Sequence, residues 1–391
     1  MEAYARVLRV PHVPYLVASA LVARLPYGIV GLSTLLFVHE EKDSFAAAGA
    51  VAAAFAIAAA VALPVLGRLI DVVGQTRVML TTVVVQMAGG AALIALGLAG
   101  ASTLALCVAA VVAGAAVTPV SPALRGLWGD LLGGDPVALR SALAVDAISL
   151  EFVFVGGPLL TALLVAVASP AAALAAGFAL SGAGATAFAM SPASRAWRGS
   201  GTASFGLGPL TSPGLLTLLA TAVPLGVAFG ALEVGLPAFG ISEGSSTIGA
   251  LAVAALSLGS AAGGVVYGAR PPTRTVRVFI IFATVLPLSL ALLALPSSTL
   301  AMLLLAPVAG ATLAPLTAVE NELVGVVAPE GTVTEAYAWI LTATVGGLAL
   351  GTALGGAIIE ASSWRETLLA GSAAGLAGAA VAVTRRKTLT A

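Results

Sequence analysis

Few residues in this chain can do chemistry, and most of those stand where charge is expensive. Arg24 lies inside the apolar run 13–38, Asp146 and Glu151 inside 141–166, and Glu233 inside 213–238. A carboxylate and an arginine held together away from water can take up, release and pass on a proton, since protonation removes one of two mutually stabilising charges. Arg24 and Glu151 fit this role best. Each sits about ten residues into its run, roughly 15 Å deep, near the middle of a ~30 Å hydrocarbon layer. The same pair reads equally well as a static tie between two helices. Asp146, five residues before Glu151, is shallower and divides between a proton or substrate role and plain solvation. Glu233, about twenty residues into its run, marks an outer gate or a solvated end. Tyr27 and Trp339 are the aromatic residues placed to line a cavity, whereas Trp128 and Trp364 fall where interfacial anchors are expected.

A second group is organised by spacing. Gly67, Asp71, Gly74 and Arg77 punctuate a short polar stretch, read as a turn, between the apolar runs 45–66 and 78–98. Either it is a solvated connection or it is a gate. Gly156-Gly157-Pro158 interrupts the run that carries Glu151, and a proline there removes a helical hydrogen bond. Gly346-Gly347, Gly351 and Gly355-Gly356 recur at steps near four, as in helices that pack closely in membranes. Enzyme machinery is not visible. There is no phosphate-binding glycine loop ending in Lys-Ser/Thr, and His12 and His39 lie at opposite ends of one run. No cofactor or metal is implied.

The elements that must position these residues follow from composition. Of 391 residues, 60% are hydrophobic and 9% charged. A soluble domain carries about 25% charge. Continuous apolar runs, without strand-like alternation, call for membrane-spanning helices. They fall at 13–38, 45–66, 78–98, 102–124, 141–166, 170–190, 213–238, 246–268, 277–295, 299–320, 336–359 and 366–384. The fold class expected is therefore an all-α membrane protein of twelve transmembrane helices. Placing both termini in the cytoplasm puts fourteen of the 17 Lys and Arg on the inner side, as the positive-inside rule requires. The first run is too long for a signal peptide and is expected to be retained. Glu320, Glu322 and Glu335 then lie at inner helix ends. Cys107 is alone, so no intrachain disulfide forms, and a net charge of zero leaves no nucleic-acid footprint.

The longest polar break, with Gly199-Ser200-Gly201-Thr202, divides the chain into a bundle at 1–190, a cytoplasmic linker at 191–212 and a bundle at 213–391. The halves echo each other: Leu25-Pro26-Tyr27-Gly28 matches Val223-Pro224-Leu225-Gly226, and Gly67 has a counterpart in Gly264, followed by Gly268 and Arg270. Internal repeats of this kind are typical of secondary transporters.

Twelve helices in two sixes, with Gly67-x-Leu69-x-Asp71-x-x-Gly74-x-x-Arg77 after the second, resemble the major facilitator superfamily over essentially the whole chain. The resemblance implies that this stretch helps close the cytoplasmic side, giving Asp71 and Arg77 gating roles with Arg125 facing them. Val72 and Gln75 stand where the family's pattern usually has basic residues, so a thinner ionic latch is implied. Gly157-Pro158 looks like a remnant of the family's antiporter motif without its further glycines. Together with Thr334–Trp339 it is similar to the arabinose and drug efflux permease branch. The expected function is proton-coupled export of a small organic compound by a monomer in the cytoplasmic membrane. Sugar or metabolite uptake, and a non-transporting scaffold or sensor, are the alternatives.

Overall fold

Runs of alanine, leucine and valine leave the backbone as the main polar burden, and in hydrocarbon a helix satisfies that burden internally. The computed structural model describes residues 2–133, 135–198, 208–244, 246–270 and 274–390. Its helices, in chain order, are α1 Glu2–Arg9, α2 Val13–Arg24, α3 Pro26–Lys42, α4 Phe45–Val73, α5 Gln75–Leu98, α6 Thr103–Ala115, α7 Val120–Leu131, α8 Pro136–Val167, α9 Pro170–Ala189, α10 Pro192–Ala196, α11 Pro213–Ser242, α12 Ser246–Gly268, α13 Thr275–Leu293, α14 Thr299–Gly310, α15 Leu313–Val327, α16 Val333–Ala361 and α17 Trp364–Thr384. Short 3-10 turns cover Gly208–Thr211 and Arg386–Leu389. Among the described residues, 11 helical segments are long and apolar enough to cross a bilayer. The 32-residue α8 takes the remaining place in the expected twelve. This is an all-α, multi-span membrane protein.

Serine starts many of the helices. Ser44, Ser102, Ser169, Ser212 and Ser298 each accept a hydrogen bond from the amide three residues on, which satisfies one of the donors a helix start leaves open.

Several boundaries differ from the sequence expectation. The first span is not one rod. It breaks at Leu25, because Pro26 has no amide proton to donate, and it runs on to Lys42. The fourth and tenth spans are each two helices, α6 with α7 and α14 with α15, and both extend past the ends expected at 124 and 320. Gly67–Arg77 is not an extended polar turn. Helix α4 continues to Val73, and the break is the single residue Gly74, at φ 102° and ψ 155°, a backbone that side-chain-bearing residues rarely adopt. Likewise Gly156-Gly157-Pro158 does not interrupt α8. Gly199-Ser200-Gly201-Thr202 lies outside the described residues.

The chain forms two compact units: one of Met1–Val7, Leu132–Ile148 and Phe205–Ala391, the other of Leu8–Leu131 and Ser149–Ser204. Helix α8 contributes to both. In the second unit Phe37, Val51, Leu93, Leu106, Leu174 and Phe178 form a core. Small residues bring backbones together there. A Cβ on Gly157 would come within 2.6 Å of the Gly28 Cα, and one on Gly89 within 2.7 Å of the Ala113 nitrogen. The first unit uses the same device. A Cβ on Gly226 would meet the Gly347 Cα at 3.0 Å, and Gly351 lies against the Val227 carbonyl. Helices α12 and α14 meet similarly through Gly259, Gly263 and Gly310.

Candidate functional site

Arg24 ends α2, immediately before the Pro26 kink, with 1% of its surface exposed. Its Nη1 donates to Ser149 Oγ on α8 at 3.3 Å. The expected partner was Glu151, two residues further along α8, whose side chain lies outside the described residues. Arg24 thus meets α8, with Ser149 as the described hydrogen-bond partner. Tyr27, directly after Pro26, is half-buried. Asp146 is buried on α8, in the first unit.

The other expected site residues are scattered. Glu233 on α11 is exposed and accepts a hydrogen bond from Thr352 Oγ1 at 3.3 Å. Trp339 is half-buried, and its indole N–H donates to Glu335 Oε1 at 3.4 Å, one turn back on α16. Glu335 sits in the first turn of that helix, where a carboxylate is favoured by the helix dipole.

The charged residues around Gly74 lie on three helices and differ in exposure. Gly67 and Asp71 are buried on α4, Arg125 is buried on α7, and Arg77 is exposed on α5. Gln75 is not a gap in the fastening. Fully buried, it donates through Nε2 to the Ala123 carbonyl at 3.0 Å, tying the start of α5 to α7 two residues before Arg125. Thr76 adds a hydrogen bond to the Ala189 carbonyl at 2.9 Å. A neutral amide thus does a fastening job for which a basic residue was expected.

A buried ion pair among the described residues was not among the expected site residues. In the first unit Arg140, 2% exposed, donates from Nε to Glu322 Oε1 at 2.7 Å and from Nη2 to Oε2 at 2.8 Å. The Tyr267 hydroxyl donates to the same Oε1 at 2.8 Å, and the guanidinium lies 4.7 Å from the Tyr267 ring centroid. The neighbouring Ser141 donates to the Gly268 carbonyl at 2.5 Å. Two parallel hydrogen bonds, a phenol and a cation–π contact satisfy a buried pair that would otherwise be strongly unfavourable. The cluster ties α8 to α12 and α15. Its members are separated by 182 residues, so no local spacing announces it. The sequence placed Glu322 at an inner helix end and suggested no partner for it.

Together the fold and these membrane-depth polar groups define a multi-pass membrane transporter. The sequence matches the Major Facilitator Superfamily over residues 16–307. The chain belongs to that family and carries out secondary active transport of small molecules across a membrane. No curated protein sequence matches it. Among solved structures it is similar to a bacterial homologue of the iron transporter ferroportin in the outward-facing state, at TM-score 0.74 and 15% identity, covering 96% of this chain and 99% of that one. It is also similar to the human organic anion transporter MFSD10 (TETRAN), at TM-score 0.70 and 14% identity over 94% and 98% of the two chains. A third is the E. coli fucose:proton symporter FucP, at TM-score 0.68 and 12% identity over 95% and 99%. At these identities the likeness concerns the fold.

Proposed function

We propose that the protein is a proton-coupled exporter of a small organic compound, working by alternating access between bundles at 1–190 and 213–391 joined by a cytoplasmic linker at 191–212. The observation that carries the reading is Arg24: a cation with 1% exposure, at a proline kink, hydrogen-bonded to α8. Glu151 is the coupling group. When it is charged, Arg24 holds it; when protonated, it releases Arg24 and lets the kinked span and α8 change their fit. The substrate is neutral or weakly cationic, since Arg24 is the one mid-depth anion partner the sequence supplies. The similarity to the arabinose and drug efflux permease branch supports export, and the arginine-rich inner loops support the cytoplasmic membrane with both termini inside. Uptake or facilitated diffusion of a sugar or metabolite is the competing reading.

On the same division Arg140 belongs to the first bundle, and Glu322 and Tyr267 to the second. Their cluster is then an inner latch that must part once per cycle, with Asp71, Arg77 and Arg125 around Gly74 as accessory gate residues. Removing one member of such a dry pair costs about 3–5 kcal/mol, enough to bias the balance between conformations heavily.

The test uses proteoliposomes loaded with a panel of sugars, nucleosides and weakly cationic dyes, with and without an imposed proton gradient. The gradient is expected to drive accumulation of one compound against its own gradient. Glu151→Gln is expected to abolish that drive and spare exchange. Unchanged driven transport in this variant removes Glu151 from the coupling role.

A further inference from the structure

The first unit holds an open groove of about 710 Å³ where the start of α13, the end of α15 and the turn Arg386–Leu389 meet. Its lining is of two kinds. Arg274, Arg277 and Arg386 are exposed, and among the described residues no acidic one lines the groove. Ile280, Ile281 and Val326 form an apolar wall. Ile281 and Val326 are 46% and 52% exposed, so the apolar wall continues onto the outer surface of the helices. Arg274 caps α13 in the left-handed region, at φ 47° and ψ 54°, so its own side chain and the positive end of the helix dipole lie at the same mouth.

Three arginines from two separate elements line one groove, and no carboxylate is among its described lining residues, a set that suits a phosphate. A free phosphate has no use for an isoleucine-and-valine wall, whereas an acyl chain does. By charge topology this end of the chain faces the cytoplasm, the side on which basic pockets between membrane helices meet anionic headgroups. We propose that the groove is a binding site for an anionic phospholipid: the three arginines hold its phosphate, and one acyl chain lies along Ile280, Ile281 and Val326. The lipid fastens the C-terminal turn to α13 and α15. This site is separate from the transport reading and does not depend on it.

Binding is tested on the purified full-length chain in a neutral detergent. Phosphatidylglycerol, phosphatidylcholine and inorganic phosphate are titrated in separate arms, with retained lipid counted by native mass spectrometry and thermal unfolding followed in parallel. Phosphatidylglycerol is expected to bind and raise the melting temperature, while the other two leave it unchanged. The combined Arg274→Gln, Arg277→Gln and Arg386→Gln variant is expected to weaken phosphatidylglycerol binding about a hundredfold, about fivefold for each arginine removed. Its melting temperature in detergent alone should equal that of the parent. A control that removes the same charge elsewhere, Arg9→Gln with Arg195→Gln and Arg198→Gln, should bind like the parent. If the triple variant does not fold, Arg386→Gln alone should lose about fivefold. The proposal is overturned if phosphatidylcholine binds equally well, if inorganic phosphate binds as tightly and displaces the lipid, or if the control variant loses as much affinity as the groove variant.

Discussion

Two helix crossings in this molecule share a backbone and differ in charge. In one unit Gly28 of α3 meets Gly157 of α8; in the other Gly226 of α11 meets Gly347 of α16. The glycines stand at matching places in the two halves, after Pro26-Tyr27 in the first and Pro224-Leu225 in the second. Four residues before the first lies Arg24, and four before the second lies Ala222; both are buried, at 1% exposure. Eight residues before Gly157 is Ser149, which accepts from Arg24, and eight before Gly347 is Trp339. The crossing with alanine is packed as closely as the crossing with arginine. The geometry therefore does not require a cation at that place, and the reason for Arg24 has to be sought in function.

Four experiments press on that contrast. The largest effect is expected from Ala222→Arg, which buries a cation where the structure provides no matching serine. A lone buried charge costs several kcal/mol, so folded, detergent-extractable protein should fall steeply, as read by size-exclusion yield. Normal yield would mean that the second crossing can also host a charge. Next, Gly157→Ala and Gly347→Ala should each destabilise by about 1–3 kcal/mol through overpacking, with similar drops in melting temperature. A drop for only one would show that the two crossings are not mechanically alike.

Removing both charges of the proposed couple, Arg24→Met with Glu151→Gln, should change stability by no more than about 1–2 kcal/mol, because apolar replacement of a buried pair is often neutral. Gradient-driven transport should nevertheless disappear. Collapse of the fold instead would make Arg24 a structural residue and end the contrast.

The smallest effect concerns the helix starts. Asp135 caps α8, accepting from the Val137 and Ala138 amides at 2.9 Å and 3.3 Å and pairing with Arg6 at 3.3 Å. The backbone bond from Ala138 first, then that from Val137 and the nearby Arg6, hold its carboxyl below the ordinary value of 3.8. A lowered folded value means that the cap's contribution is present above 3.8 and is lost as pH falls through the lower value. Amide exchange at the start of α8 should quicken only in that acidic window, and Asp135→Ala should abolish the pH dependence there.

The spans were legible because hydrocarbon imposes one demand on every residue of a run. Helix ends were less legible. Gly67 and Asp71 read as a turn because they are polar, yet α4 carries them for two more turns, and only Gly74 has a backbone that ends a helix. Pro26 announced a kink that the unbroken apolar run concealed. At the site, the sequence placed Arg24 and α8 at one depth, since both could be counted from the same surface. It did not predict Arg140 with Glu322, because no periodicity relates residues on helices so distant in the chain. Gln75 was read only by the charge it lacks, and the hydrogen bond from its buried amide to the Ala123 carbonyl had no signal in the sequence.

The separation between Arg140 and Glu322 also has a meaning in time. At about 5–20 residues per second, a ribosome reaches Glu322 roughly ten to forty seconds after Arg140, given the 182 residues between them. Throughout that interval the arginine has been synthesised and its acid has not. The bond between α8 and α15 can form only after α9 and the helices up to α14 have been made.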